Sequence, residues 1–335
     1  MKEAVQIVEW IQSSEKIVIT SHRSPDGDSI GSSLGLYHFI HSLGKKAQIC
    51  HPDPSPNFLN WMKGNVEIAD FDTHPEEVTT ALNEADLIFC LDYNAAHRLG
   101  NEMGELLSKA PGKKIMIDHH LNPDDFVDLA VSEPQVCSTA QLIVELIMAS
   151  GNEQLLNADI GTPLYLGIVT DTGSFRFDSV EPKTHRLVAR LIEAGVAHAR
   201  VHENTFDTNS VDRLKLRGYA IAEKLELLEN DTIALVWLTT EELERFNHQK
   251  GDTEGLVNVA LSINNVQVAI FASESDGKIK LSFRSKGVLP VNEFAAAYFE
   301  GGGHKNAAGG VSYLSIEETL EKLKKHLPEL SKKYA

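Results

Sequence analysis

The sequence predicts an α/β protein: an N-terminal domain built on a parallel sheet, a helical connector, and a second, smaller α/β domain. Three observations predict it. Up to about residue 175, short apolar runs alternate with helical stretches, which is the rhythm of parallel α/β structure. From about Thr184 to Asn230 the pattern turns helical. A fresh series of apolar runs and turn residues then follows, and a chain of 335 residues is long enough for about two ordinary domains. The expected boundaries are 1–188 for the first domain, 189–230 for the connector and 231–335 for the second domain.

In order along the chain, a helix-like opening precedes the strand KIVIT (16–20), a helix over about 28–43 and the strand AQIC (47–50). The strand LIFCLD (87–92), a helix over 100–110, the strand KIMID (114–118) and a helix from near Ser138 complete the domain. Runs this apolar suit strands covered on both faces, and open sheets of that kind place ligands at their carboxyl edge. The helical tract ends in VDRLKLRGYAIAEKLELLEN, where Leu214, Tyr219, Ile221, Leu225 and Leu228 recur at roughly helical spacing. The second domain reads as the strand TIALVWL, a helical GLVNVALSI, the strands VQVAIFAS and KIKLSFRS around the turn SDGK, a short helix VNEFAAAYF, a Gly-rich loop and an amphipathic C-terminal helix. The two domains are expected to meet across an active-site cleft.

Composition narrows the function. With 42% hydrophobic and 24% charged residues, disorder, collagen and disulfide scaffolds are excluded. The formal charge of -17, from 48 Asp+Glu against 31 Lys+Arg, opposes non-specific binding of long duplex nucleic acid. A small anionic ligand remains compatible where positive charge is local, as metal ions supply it. No window approaches the roughly 18 apolar residues of a membrane helix, and the start carries acids where a signal peptide carries a basic run. A cytoplasmic protein without membrane contact is expected. Cys50, Cys90 and Cys137 are far apart and odd in number, so they read as reduced, buried thiols.

Ligand-type side chains gather at the ends of these elements. KIVIT runs into His22, Asp26 and Asp28, with Gly27 allowing a tight backbone, and this group could grip a divalent cation. The alternative has Asp28 capping the next helix and Asp26 stabilising a turn. Asp92 ends its strand, where a turn or cap explains a lone aspartate equally well. Asp118-His119-His120 is harder to explain by packing, and GIVTDTG delivers Asp171 into a Thr/Gly turn. Four carboxylates converging on one edge repel one another unless cations neutralise them, so their joint occurrence favours a metal pair over independent caps.

His22-x3-Asp26-x-Asp28, Asp92, Asp118-His119-His120 and Asp171 resemble the four motifs of the DHH phosphoesterase superfamily. The run 301–309, GGGHKNAAG, is similar to the glycine-rich signature of the accompanying DHHA1 domain. In this length class the resemblance is to the nanoRNase/pAp-phosphatase type, which trims very short oligoribonucleotides from the 3′ end and removes the 3′ phosphate from 3′-phosphoadenosine 5′-phosphate (pAp). It implies two divalent ions, manganese in the usual case and Mg²⁺ or Co²⁺ otherwise. His22 and Asp26 would hold one ion, Asp28, His119 and Asp171 the other, and Asp92 would bridge them. Asp118 would orient His119, and His120 would face the phosphate. Arg98, Arg284, Gly302, Gly303 and His304 are the implied substrate contacts, although a glycine run by itself is equally a flexible loop.

The implied substrates are short RNA, pAp, and linear or cyclic dinucleotides, and a homodimer is compatible with this reading. A family II type pyrophosphatase shares the N-terminal motifs but not the GGGHKNAAGG run. A RecJ-like single-strand exonuclease is commonly longer and suits a charge of -17 poorly. A non-catalytic nucleotide sensor is disfavoured because every metal-ligand position of the motifs is intact.

Overall fold

The apolar runs of the first half form parallel strands. β1 (Ile17–Ser21), β2 (Ala47–His51), β3 (Ile68–Asp70), β4 (Leu87–Leu91), β5 (Lys113–Asp118) and β6 (Leu129–Ser132) assemble in the order β3-β2-β1-β4-β5-β6, with every neighbouring pair parallel. The computed structural model describes residues 1–334, and side chains through residue 330. The helices of this half are α1 (Ala4–Ser13), α2 (Gly27–Ser42), α3 (Asn60–Lys63), α4 (Pro75–Glu84), α5 (Asn101–Lys109), α6 (Thr139–Ala149), α7 (Ala158–Asp171), α8 (Pro182–Glu193) and α9 (His198–Phe206).

Strand side chains alternate, so each strand feeds two cores. Ile17 and Ile19 of β1 pack with Ile30 and Leu34 of α2, Ile143 of α6 and Leu164 of α7, while Val18 packs with Val78 and Leu82 of α4 and Met103 of α5. The sheet is therefore covered on both faces, as its apolar strands required. The chain runs outward from β1 through β2 and β3, then returns to place β4 on the other side of β1. Between β1 and β4 the strand order reverses, and the carboxyl ends there open into the crevice where such sheets bind ligands.

A seam of small residues sets α2 against α7. A Cβ added at Gly31 would lie 2.4 Å from the Pro163 carbonyl oxygen, and one at Gly27 would lie 2.3 Å from Thr170 Oγ1. On α7, a Cβ at Gly167 would sit 2.6 Å from Ala140 Cβ and 2.8 Å from Asp28 Oδ1. This close approach brings the first turn of α2 to the last turn of α7. Gly31→Ala is expected to lower stability by about 1–2 kcal/mol, because the Pro163 carbonyl cannot rotate aside and the clash outweighs the helix propensity that Ala gains. Urea denaturation measures this; an unchanged midpoint would show that the seam has slack.

Among the described residues the second half carries α10 (Val211–Glu223), β7 (Leu225–Leu228), β8 (Ile233–Leu238), α11 (Thr240–Arg245), α12 (Leu256–Leu261), β9 (Val268–Ser275), β10 (Lys278–Ser285), α13 (Val291–Tyr298), β11 (Gly302–His304), β12 (Ala307–Ser312) and α14 (Ile316–Tyr334). Its sheet runs β11-β12-β10-β9-β8-β7, with only β8 and β9 parallel. The chain divides into two compact units, Met1–Thr208 and Asn209–Ala335.

Two expectations are corrected here. LELL (225–228) is not the end of the connector helix but the strand β7, whose register with β8 pairs Leu225 with Val236. The glycine-rich tract is not a loop but a hairpin in which Gly302 faces Gly309 and His304 faces Ala307. Close backbone packing explains part of its glycine content: a Cβ at Gly301 would lie 2.1 Å from the Gly309 carbonyl oxygen, and Gly303 has φ +135°. At Gly302 a side chain would meet nothing, so the hairpin leaves an open stretch of backbone there. The three cysteines are buried free thiols, and burial pushes Cys50 and Cys137 up to about 12 and Cys90 to about 11. Among the described residues no helix is long and apolar enough to cross a membrane.

Candidate active site

The carboxyl edge of the first sheet gathers the motif residues of the N-terminal half. His22 follows β1, Asp92 follows β4, Asp118 ends β5, and Asp171 arrives from the last turn of α7. Asp26 caps α2, its Oδ1 accepting from the N–H groups of Asp28 and Ser29 at 3.0 Å each. The capping aspartate is thus Asp26, while Asp28, in the first turn of the helix, is buried and turned toward the other carboxylates.

Two histidines present the same atom. His22 Nδ1 lies 2.8 Å from the Arg23 carbonyl oxygen, and His119 Nδ1 lies 3.1 Å from that of Val136. A carbonyl only accepts, so Nδ1 carries a proton on both rings and each Nε2 is the ring atom turned toward the carboxylates. His22 Nε2 is 3.3 Å from Asp92 Oδ2 and 4.0 Å from Asp26 Oδ1. His119 Nε2 is 3.5 Å from Asp92 Oδ1, 3.3 Å from Asp171 Oδ2 and 3.8 Å from Asp28 Oδ2. Asp92 therefore turns one oxygen to each histidine. Ligand atoms of His22, Asp26 and Asp92 lie within 4.8 Å of one another, and so do those of Asp28, His119 and Asp171.

The electrostatics of these carboxylates fit a cation. Burial pushes Asp92 well above the usual carboxylate range, and the charges of Asp28, Asp26, Asp171 and Asp118 push it further. Asp28 is also raised, by burial first, although the His119 charge and the N–H groups of Ala140 and Thr139 oppose the rise. Burial lowers His119, but the carboxylates of Asp171, Asp28 and Asp118 outweigh it and the net shift is upward. Buried acids that destabilise one another, faced by two correctly oriented imidazoles, form a donor set suited to a divalent cation.

Asp118 is placed otherwise than expected. Its Oδ1 lies 2.7 Å from His120 Nδ1 and its Oδ2 accepts from the His120 N–H at 2.8 Å, so it orients His120 while the Val136 carbonyl orients His119. Burial raises Asp118, yet the hydrogen bonds and charge of His120 win and hold it below the ordinary value. With Nδ1 engaged, His120 is left to act through Nε2. Arg98 is exposed on the short turn Ala96–Leu99, whereas Arg284 on β10 is partly buried and donates to the Phe283 carbonyl. Arg284, Gly302, Gly303 and His304 all lie in the second unit, on β10 and β11.

Several supporting residues were not read from the sequence. Arg23 makes a two-pronged ion pair with Asp72 at 2.8 and 2.7 Å and donates its N–H to the Arg98 carbonyl, while Asp53 accepts from the Ser24 N–H at 2.8 Å. Together they clamp the loop between His22 and Asp26. Ser138 is the cap of α6, accepting from the Gln141 N–H. Thr139 does something else: its hydroxyl donates to Asp92 Oδ1 at 3.0 Å. The signal available was a second hydroxyl directly after a cap that needed only one.

The chain is similar to known proteins over nearly its whole length. A family model described as the DHH family, N-terminal domain, matches residues 16–168, and one described as the DHHA1 domain matches residues 231–333. The bifunctional oligoribonuclease and PAP phosphatase NrnA of Thermus thermophilus is 32% identical, over 92% of this chain and 87% of the relative. The protein of the same name from Bacillus subtilis is 28% identical over 92% of this chain and 93% of the relative. A crystal structure of an exopolyphosphatase-related protein from Bacteroides fragilis superposes with a TM-score of 0.93 at 39% identity, covering 99% of this chain and 98% of that one. With both domain models matched in order and relatives similar over nearly its whole length, the chain belongs to the DHH/DHHA1 family of phosphoesterases.

Proposed function

We propose that this phosphoesterase uses two divalent cations to hydrolyse short oligoribonucleotides from the 3′ end and to remove the 3′ phosphate of pAp. The observation that carries the chemistry is the divided carboxylate of Asp92, with Oδ2 facing His22 and Oδ1 facing His119. The substrate class rests on the names of relatives that align over more than nine-tenths of the chain. In this reading His22 and Asp26 would hold one cation, Asp28, His119 and Asp171 would hold the other, and Asp92 would serve both. Four carboxylates with two imidazoles suit Mn²⁺, with Mg²⁺ and Co²⁺ next.

Bound there, a cation pair supplies Lewis-acid polarisation of the phosphoryl group and lowers the pKa of water. The protein's own groups do the rest. Asp118 fixes His120 so that Nε2 can donate a hydrogen bond to a non-bridging phosphoryl oxygen or a proton to the leaving oxygen. Arg98 and Arg284 offer planar donors to phosphate, and the open backbone at Gly302, with Gly303 and His304 beside it, offers a surface for the remainder of the nucleotide.

A substrate gripped over a few nucleotides gains no affinity from further length, unlike one tracked along a backbone groove. Hydrolysis of pAp, of RNAs of two to five nucleotides, of a 24-nucleotide RNA and of cyclic dinucleotides is to be compared at equal salt with Mn²⁺. The expected order puts the short linear substrates and pAp first. A strong preference for the long RNA would overturn this reading in favour of a single-strand exonuclease, and a preference for cyclic dinucleotides would replace the substrate class.

A further inference from the structure

We infer that Thr139 is a positioning residue whose hydroxyl fixes the rotation of the Asp92 carboxylate and thereby sets the affinity of the site for divalent cations; the inference rests on the two-cation reading above. A carboxylate that must serve two donor groups is useful only when each oxygen points to its own side. Asp92 sits at the end of β4 with φ +63°, and its side chain is almost wholly buried. Its Oδ2 faces His22 at 3.3 Å, and its Oδ1 faces His119 at 3.5 Å. Without a fixed partner the carboxylate can turn about its last side-chain torsion, which is broad and roughly two-fold. The Thr139 hydroxyl, fully buried, donates to Oδ1 at 3.0 Å and supplies that partner.

The same turn of α6 holds the neighbouring acid. The backbone N–H of Thr139 donates to Asp28 Oδ2 at 2.7 Å, and that of Ala140 to Asp28 Oδ1 at 2.8 Å. Ser138 caps the helix, so the Thr139 hydroxyl is not needed for capping. As a β-branched residue in a helix, Thr139 also has few rotamers to choose from, which keeps its hydroxyl aimed. One residue thus ties the Asp28 group to the shared carboxylate: its N–H serves Asp28 and its Oγ1 serves Asp92.

The test compares Thr139→Val, which keeps the shape and removes the donor, with Thr139→Ser, which keeps the donor. Calorimetric titration of metal-free full-length protein with Mn²⁺ is the first readout, and the rise in Tm on adding Mn²⁺ is the second. Loss of a group that orients a metal ligand costs about 10–100-fold in metal affinity, so Thr139→Val is expected to bind Mn²⁺ at least about 10-fold more weakly, with a smaller metal-induced rise in Tm. Thr139→Ser is expected to stay within about 3-fold of wild type. Wild-type affinity in Thr139→Val, or a loss in Thr139→Ser as large as in Thr139→Val, would overturn the positioning role while leaving the two-cation reading intact. Absence of Mn²⁺ binding by the wild-type protein would instead overturn the two-cation reading, and this inference with it. Where Thr139→Val fails to fold, as far-ultraviolet circular dichroism of the metal-free protein would reveal, Thr139→Ser against Thr139→Ala decides by the same criteria.

Discussion

Asp92→Asn is expected to lower phosphoesterase activity by at least about 1,000-fold, or about 4 kcal/mol of transition-state stabilisation. The carboxamide keeps one oxygen and replaces the other with an NH2 group, which repels a cation. Asp92 has one oxygen toward the His22 group and one toward the His119 group, so one donor group must lose its shared ligand whichever way the carboxamide turns. Asn is also the substitution that the backbone tolerates best, because φ at this position is +63° and Asn adopts the left-handed region more readily than most residues. Steady-state turnover and bound metal are to be measured together. Loss of both with an unchanged fold is the expected outcome; retention of wild-type turnover would remove the shared-ligand role.

His120→Gln should lower kcat by about 100- to 10,000-fold, the usual range for a positioned proton donor, while leaving bound metal unchanged. His120 Nδ1 is 2.7 Å from Asp118 Oδ1 and 3.8 Å from Asp92 Oδ1, so its ring is held first by the buried Asp118 carboxylate and touches the His22 group only through Asp92. Removing the ring leaves both donor groups of the proposed cation pair complete. The discriminating readout is the ratio of two losses: for His120→Gln catalysis falls and metal stays, for Asp92→Asn both fall. Loss of metal in His120→Gln would move His120 into the cation site.

How far the site was legible follows from strand geometry. An apolar run delivering a ligand-type side chain to its end is a pattern that sequence shows directly, and it points to His22, Asp92 and Asp118 at strand ends and to Asp171 at the end of a helix. The partner of Asp118 was read one residue off. Side chains near a strand end alternate in direction, so Asp118 shares a side with His120, two residues on, and not with His119. The contacts of Thr139 and Arg23 are invisible in the sequence because their partners are remote: Asp92 and Asp28 for Thr139, Asp72 and Arg98 for Arg23.

The fold was legible where burial is two-sided and ambiguous where it is not. β1 and β4 are buried at every position; β4 is apolar throughout, and β1 is apolar through Ile19 before ending in Thr20 and Ser21. β7 is only partly buried, and its leucines at 225 and 228 continue the helical spacing of α10, so periodicity could not separate strand from helix. The run 301–309 read as a loop because glycine marks turns. In the structure it is a hairpin whose strands approach too closely for side chains at Gly301 and Gly303.

Titrating the metal-free protein with Mn²⁺, with bound Mn²⁺ per chain and hydrolysis of pAp followed in the same samples, tests the central claim most directly. The two-cation account predicts saturation at about two Mn²⁺ per chain, with activity absent from the metal-free protein and rising only as the second cation binds. Full activity in the metal-free protein, or with one cation per chain, would contradict it.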